Sequence, residues 1–141
     1  MGVVRFFTEG ISFVLPKPRK TSQWIKQVSL LEGQTILELN YIFCTDAILL
    51  ELNREYLNHD TLTDIITFNH VEKPGEIEGD IFISLERVQE NCIEFQTSFL
   101  EELHRVIIHG LLHLLGYQDK SPIEKNEMRK KENAYLSLRS F

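Results

Sequence analysis

The stretch SFLEELHRVIIHGLLHLLGYQD, Ser98 to Asp119, decides how the rest of the chain is read. Ser98 with Glu101 has the form of a capping box, and Gly116 suits the residue just past a helix end. A helix is therefore predicted from Ser98 to Leu115. Phe99, Leu103, Val106, Ile107, Leu111 and Leu114 are only part of an apolar set that covers nearly its whole circumference. A helix that apolar belongs in the interior. Against this background Glu102, Arg105, His109 and His113 recur at spacings of three and four, which draws a thin polar line along one edge.

His109 and His113 lie one turn apart on that line. Two imidazoles at i and i+4 can point at one ion at about 2.1 Å, so HxxxH on a helix is a recurrent metal clamp. Gly116 lets the chain reverse, and the short return to Asp119 can bring a carboxylate back over both rings. Three protein ligands with a position left open would be a catalytic geometry, in which an ion lowers the pKa of water and polarises a carbonyl or phosphoryl oxygen. Satisfied core histidines are the plainer reading of the same pair. Gly110 stands where zinc peptidases carry the Glu that serves as general base, which demotes a peptidase. It suggests instead the close packing of another backbone on this helix.

Outward from this segment, helices and strands are interspersed. Val3–Phe7 and Ile11–Leu15 read as strand-like pieces. After the break at Lys17-Pro18-Arg19-Lys20, Thr21 or Ser22 caps a helix with Trp24, Ile25, Val28 and Leu31 on one face and Gly33 past its end. Thr35–Cys44 is a strand, with Leu37, Leu39, Tyr41 and Phe43 on one side. Thr45 caps a helix running to about Tyr56, and Asn58 to Thr61 is a loop. Asp64–Phe68 and Asp80–Ser84 are short strands around a turn at Glu72 to Gly75, with Gly79 at a tight approach. Ser84 starts a helix bearing Leu85, Val88, Cys92 and Phe95. Ser121, Pro122 and Glu124 open a last, charged helix. The hairpin-like spacing of the middle strands favours an α+β fold, a small mixed sheet packed with helices, over a doubly wound one.

The chain has 141 residues, 43% hydrophobic and 26% charged, which fits one globular domain over 1–141 and excludes a disordered or low-complexity chain. No apolar run approaches the length of a membrane span. The first twenty residues lack the pattern of a secretory signal, so a cytoplasmic protein with Cys44 and Cys92 reduced is expected. Fifteen Lys and Arg against 21 Asp and Glu give a net charge of −6, which argues against gripping nucleic acid by bulk charge. A local basic groove stays open, with Lys17, Arg19 and Lys20, the group Lys125, Arg129, Lys130 and Lys131, and Arg87 or Arg105 as the places for phosphates. His59 and His70 read as exposed loop residues, and His104 as a surface or helix-packing group. Asp64 and Asp80 read as turn residues opening strands.

His109-Gly-Leu-Leu-His113-Leu-Leu-Gly116-Tyr117 resembles the signature HGxLHLxGY of the YbeY family, bacterial metal-dependent endoribonucleases of ribosomal RNA maturation. Leu52-Asn53 and Thr63 to Phe68 resemble the family's LN…T(D/N)VLSF block, and Gly79-Asp80-Ile81 its GDI strand. The blocks span about Leu52 to Asp119, and the N-terminal third is only loosely similar. The resemblance implies a zincin-like fold and one divalent ion, with zinc favoured, on His109, His113 and Asp119. It implies a single-strand endoribonuclease acting on ribosomal RNA precursors, with proteins of the small ribosomal subunit as further partners. It places Asp64 and Asp80 near the cleft, where either can support an imidazole. The family's third ligand is a histidine ten residues after the first. Asp119 stands there, a carboxylate that weakens the ion as a Lewis acid and suits harder metals better. Gln118 replaces the usual Asp, and Leu57 stands where the family places an Arg, with Arg54 nearby in sequence. No general base is assigned by this reading. Two rivals remain beside it: another metal-dependent hydrolase, a peptidase or amidohydrolase, and a non-enzymatic ribosome assembly factor.

Overall fold

Strands β1 (Val3–Thr8), β2 (Thr35–Cys44), β3 (Ile65–Asn69) and β4 (Glu76–Ser84) form one sheet in the order β1-β2-β4-β3. The computed structural model describes residues 2–57, 63–71 and 73–141, so the predicted loop at Asn58 to Thr61, His59 within it and Glu72 of the turn lie outside the described residues. β1 and β4 flank β2 in parallel, and β3 runs antiparallel to β4. This is the mixed sheet expected of the sequence. Helices α1 (Pro18–Leu31), α2 (Asp46–Tyr56), α3 (Leu85–Glu94), α4 (Phe99–Leu114) and α5 (Pro122–Leu136) complete an α+β fold.

Alternation along the strands divides the apolar side chains between two faces. Leu39, Tyr41, Phe43, Ile81 and Ile83 join Trp24 and Ile25 of α1 and Ile107, Ile108 and Leu111 of α4 in the main core. On the other face a smaller cluster gathers Leu49 and Leu52 of α2 with Ile66, Phe68 and Phe82. α4 is buried as its composition requires, and the Tyr41 hydroxyl donates to the Ile107 carbonyl from within the core, 3.0 Å away. Gly110 lets α4 lie this close to the sheet. A Cβ there would stand 2.6 Å from Ile65 Cδ1 and 2.9 Å from Ile81 Cγ2. The close partner is thus side chains of β3 and β4, where another backbone was expected. Gly79 is the true backbone approach, because its Cβ would meet the Phe68 carbonyl oxygen at 2.4 Å.

Local expectations need correction at several points, and Leu31, expected on the apolar face of α1, stands exposed. Ile11–Leu15 forms no strand, although Leu15 is buried and Ile11 and Phe13 pack on the core. Pro18 opens α1 at its first turn, ahead of Thr21 and Ser22, because Lys17 takes a left-handed φ of 49° and turns the chain into the helix. Leu37 is exposed, since a register irregularity between Ile36 and Glu38 shifts the alternation and buries Ile36 instead. Phe95 does not belong to the buried stripe of α3. It is the C-cap residue and stands exposed.

Candidate metal centre

Ser98 caps α4 by accepting from the Glu101 N–H at 3.0 Å, and Gly116, at φ 109°, ends it with the reversal the sequence suggests. Tyr117 N–H donates to the Leu112 carbonyl at 3.0 Å, so the chain folds back over the last turn and carries Asp119 to the two histidines. His109 Nε2 lies 3.0 Å from His113 Nε2. Asp119 Oδ2 is 3.1 Å from the first and 3.3 Å from the second. These three residues are the group with metal-binding geometry among the described residues.

The far sides of both rings show what the near sides offer. His113 Nδ1 faces the Tyr117 carbonyl oxygen at 3.1 Å, and His109 Nδ1 faces Glu132 Oε2 at 2.6 Å. A carbonyl and a carboxylate only accept, so each neutral ring carries its proton on Nδ1 and turns a lone pair outward from Nε2. With both rings neutral, two lone pairs and a carboxylate oxygen converge, an arrangement that repels itself unless a cation, whether a proton or a metal ion, is shared. About 3.4 Å separates tetrahedral ligands around an ion at about 2.1 Å, close to the spacings found here. The donor set fits a divalent ion.

Glu132 of α5 is the residue that sequence reasoning missed. It is 5% exposed, and it holds His109 Nδ1 with one oxygen and Arg105 Nη1, at 2.9 Å, with the other. Burial raises its pKa, but the bonds from His109 and Arg105 outweigh burial and hold the carboxyl below its usual range. Burial likewise disfavours the charged form of His109, yet the bond and charge of Glu132, with Asp64 and Asp119, carry its pKa above the ordinary value. A glutamate on a helix read as solvated gave no sign of this. Only its spacing of four from Met128 and from Leu136, both buried, sets it on the inward side of α5.

His109 and Asp119 line a cavity of about 400 Å³. Asp64, Glu102 and Arg105 line it from below, Asn91 and Phe95 from the end of α3, and Lys125 and Arg129 from α5. Burial pushes the Asp64 carboxyl above its usual range against the pull of His109, and burial does the same to Glu102 against Arg105. Asp64, just ahead of β3, lines this cavity, whereas Asp80 lies inside β4 and does not open it as expected. Asp80 accepts from Asn40 Nδ2 at 3.0 Å and pairs with His70 Nε2 at 2.9 Å. Leu57 and Arg54 do not line the cavity. His104 is buried between Trp24 and Phe141, a helix-packing group.

The family model described as Endoribonuclease YbeY matches residues 14–139. The chain belongs to the YbeY family. The protein named Endoribonuclease YbeY of Cytophaga hutchinsonii is 51% identical over 136 residues, covering 96% of this chain and 95% of that protein. Those of Amoebophilus asiaticus and Bacteroides fragilis are each 48% identical, over 94% and 96% of this chain and 90% and 97% of their own lengths. The solution structure of TM1509 from Thermotoga maritima matches with a TM-score of 0.63 at 28% identity, over 96% of this chain and 87% of that one. Similarity to YbeY proteins therefore extends well into the N-terminal third, beyond the blocks from Leu52 to Asp119 that carry the sequence resemblance. Among the described residues no helix is long and apolar enough to cross a membrane.

Proposed function

We propose that this chain is a metal-dependent endoribonuclease, one domain over residues 1–141, that cleaves single-stranded regions of ribosomal RNA precursors in the cytoplasm. Membership of a family whose relatives are named endoribonucleases supports the reaction class, and the convergence of His109 Nε2, His113 Nε2 and Asp119 Oδ2 supports the metal. Zinc is the favoured ion, and proteins of the small ribosomal subunit are the proposed neighbours. A divalent ion held by these three residues would supply a Lewis acid at a scissile phosphodiester.

The chain's own residues do the rest. Glu132 and the Tyr117 carbonyl fix the two imidazoles in the tautomer that leaves Nε2 free to bind. Lys125 and Arg129 are the cations placed to meet the phosphates of a bound strand. Arg105 is committed to Glu132 and to Asn133 Oδ1 at 2.9 Å and works through His109's partner. Gly110 in place of a general base keeps the peptidase reading unfavoured.

The test is cleavage of a short single-stranded RNA by protein freed of contaminating nuclease. The reading expects cleavage abolished by chelator, restored by zinc or manganese, and lost in Asp119→Ala while the far-UV circular dichroism stays unchanged. RNA left intact while a model peptide is cut would move the assignment to the other hydrolases.

A further inference from the structure

Phe95 is 58% exposed, yet it lines the same cavity as His109 and Asp119. The backbone around it is closed tightly. Phe95 N–H donates to the Asn91 carbonyl at 2.9 Å, Gln96 N–H to Ile93 at 3.3 Å, and Thr97 N–H to Cys92 at 3.0 Å. This is a Schellman ending, whose left-handed position usually holds glycine. Here Gln96 takes it, at φ 54°. Backbone strain of this kind is retained where the surroundings over-determine it, and it clusters at functional sites. It fixes Phe95 at the lip of the cavity, only three residues before the Ser98 cap of α4.

One helical turn before it, Asn91 lines the same wall and offers a side-chain amide beside the ring. Lys125 and Arg129 stand on α5 at another wall of the cavity. An exposed flat ring, an amide next to it and cations across from both is the arrangement that takes an unpaired base with its phosphate. Stacking on an aromatic face is how proteins commonly hold splayed-out bases of single-stranded RNA.

We infer that Phe95 and Asn91 form a nucleobase subsite next to the metal centre, with Phe95 as the stacking platform and Asn91 reading the base edge. It rests on the ribonuclease reading above. Phe95 is a positioning residue for the substrate, and it takes no part at the ion. The subsite predicts that a base which cannot leave its duplex cannot be seated, which confines the enzyme to unpaired RNA.

The experiment uses full-length protein and a short 2′-O-methyl oligoribonucleotide, which resists cleavage, carrying one 2-aminopurine. Binding is followed by anisotropy and stacking by quenching of the 2-aminopurine. Phe95→Ala is expected to weaken binding about 5- to 100-fold and to relieve the quenching. Phe95→Leu should do the same, whereas Phe95→Tyr and Phe95→Trp should bind within a few-fold of the wild type. An exposed position keeps all four variants folded, which thermal unfolding checks. Equal binding by the Ala or Leu variant and the wild type overturns the subsite alone. Failure of the wild type itself to bind overturns the subsite together with the ribonuclease reading.

Discussion

Glu132 and His104 are both buried polar groups, and they show how differently a fold can treat such residues. Glu132 is satisfied twice over, by Arg105 and by the ring of His109. It thereby sets the tautomer of a histidine that faces the candidate ion site. His104 is 1% exposed and receives only the Arg139 guanidinium, at 2.7 Å on Nδ1, which leaves Nε2 buried without a partner. Burial and then the charge of Arg139 push its pKa down to about 4, against a weaker opposite pull from Glu101. The unfolded chain binds this proton near pH 6.5, so stability linked to His104 is complete above that pH. It is lost as the pH falls towards 4, by up to about 3 kcal/mol. Urea unfolding of wild type and His104→Phe at pH 7 and pH 4.5 measures this. The wild type should lose more stability on acidification than the variant, and equal losses would refute the assignment.

At the scale of elements, α4 was the most legible part of the chain. Its Ser98 cap, its Gly116 ending, its apolar circumference and its polar edge all belong to one local pattern that the structure keeps, but the Glu101 side chain turns to Arg139 and does not close the expected capping box. What eluded the sequence depends on partners far along the chain or on the backbone. Leu37 fits the alternation of β2, and only a register shift against β4 turns it outward. Phe95 fits the stripe of α3, and only the left-handed turn at Gln96 ends the helix early enough to expose it. Asp119 was legible as a partner of the histidines, because Gly116 announces the reversal. Glu132 was not, since its role comes from the docking of α5 on α4. Gly110 gives this packing a test. Alanine would favour the helix by about 1 kcal/mol but press a methyl group against Ile65 and Ile81, at a cost of about 1–3 kcal/mol. Gly110→Ala should therefore unfold at a lower urea concentration. A higher midpoint would mean that α4 and the sheet are less closely packed than described.

Over the whole molecule, a net charge of −6 coexists with cations at the cavity beside the histidine pair, Lys125 and Arg129. Bulk charge is a poor guide to this groove, where Lys125 and Arg129 line the same cavity as His109. The sheet and α1 hold α4 from one side, and α5 closes over its polar edge. The proposed function rests on His109, His113 and Asp119 together holding a single divalent ion. Its most direct test is elemental mass spectrometry of protein loaded with zinc and freed of excess. The account predicts about one ion per chain, and loss of that ion in His113→Ala with the circular dichroism unchanged. No retained ion, or full occupancy in the variant, would contradict it.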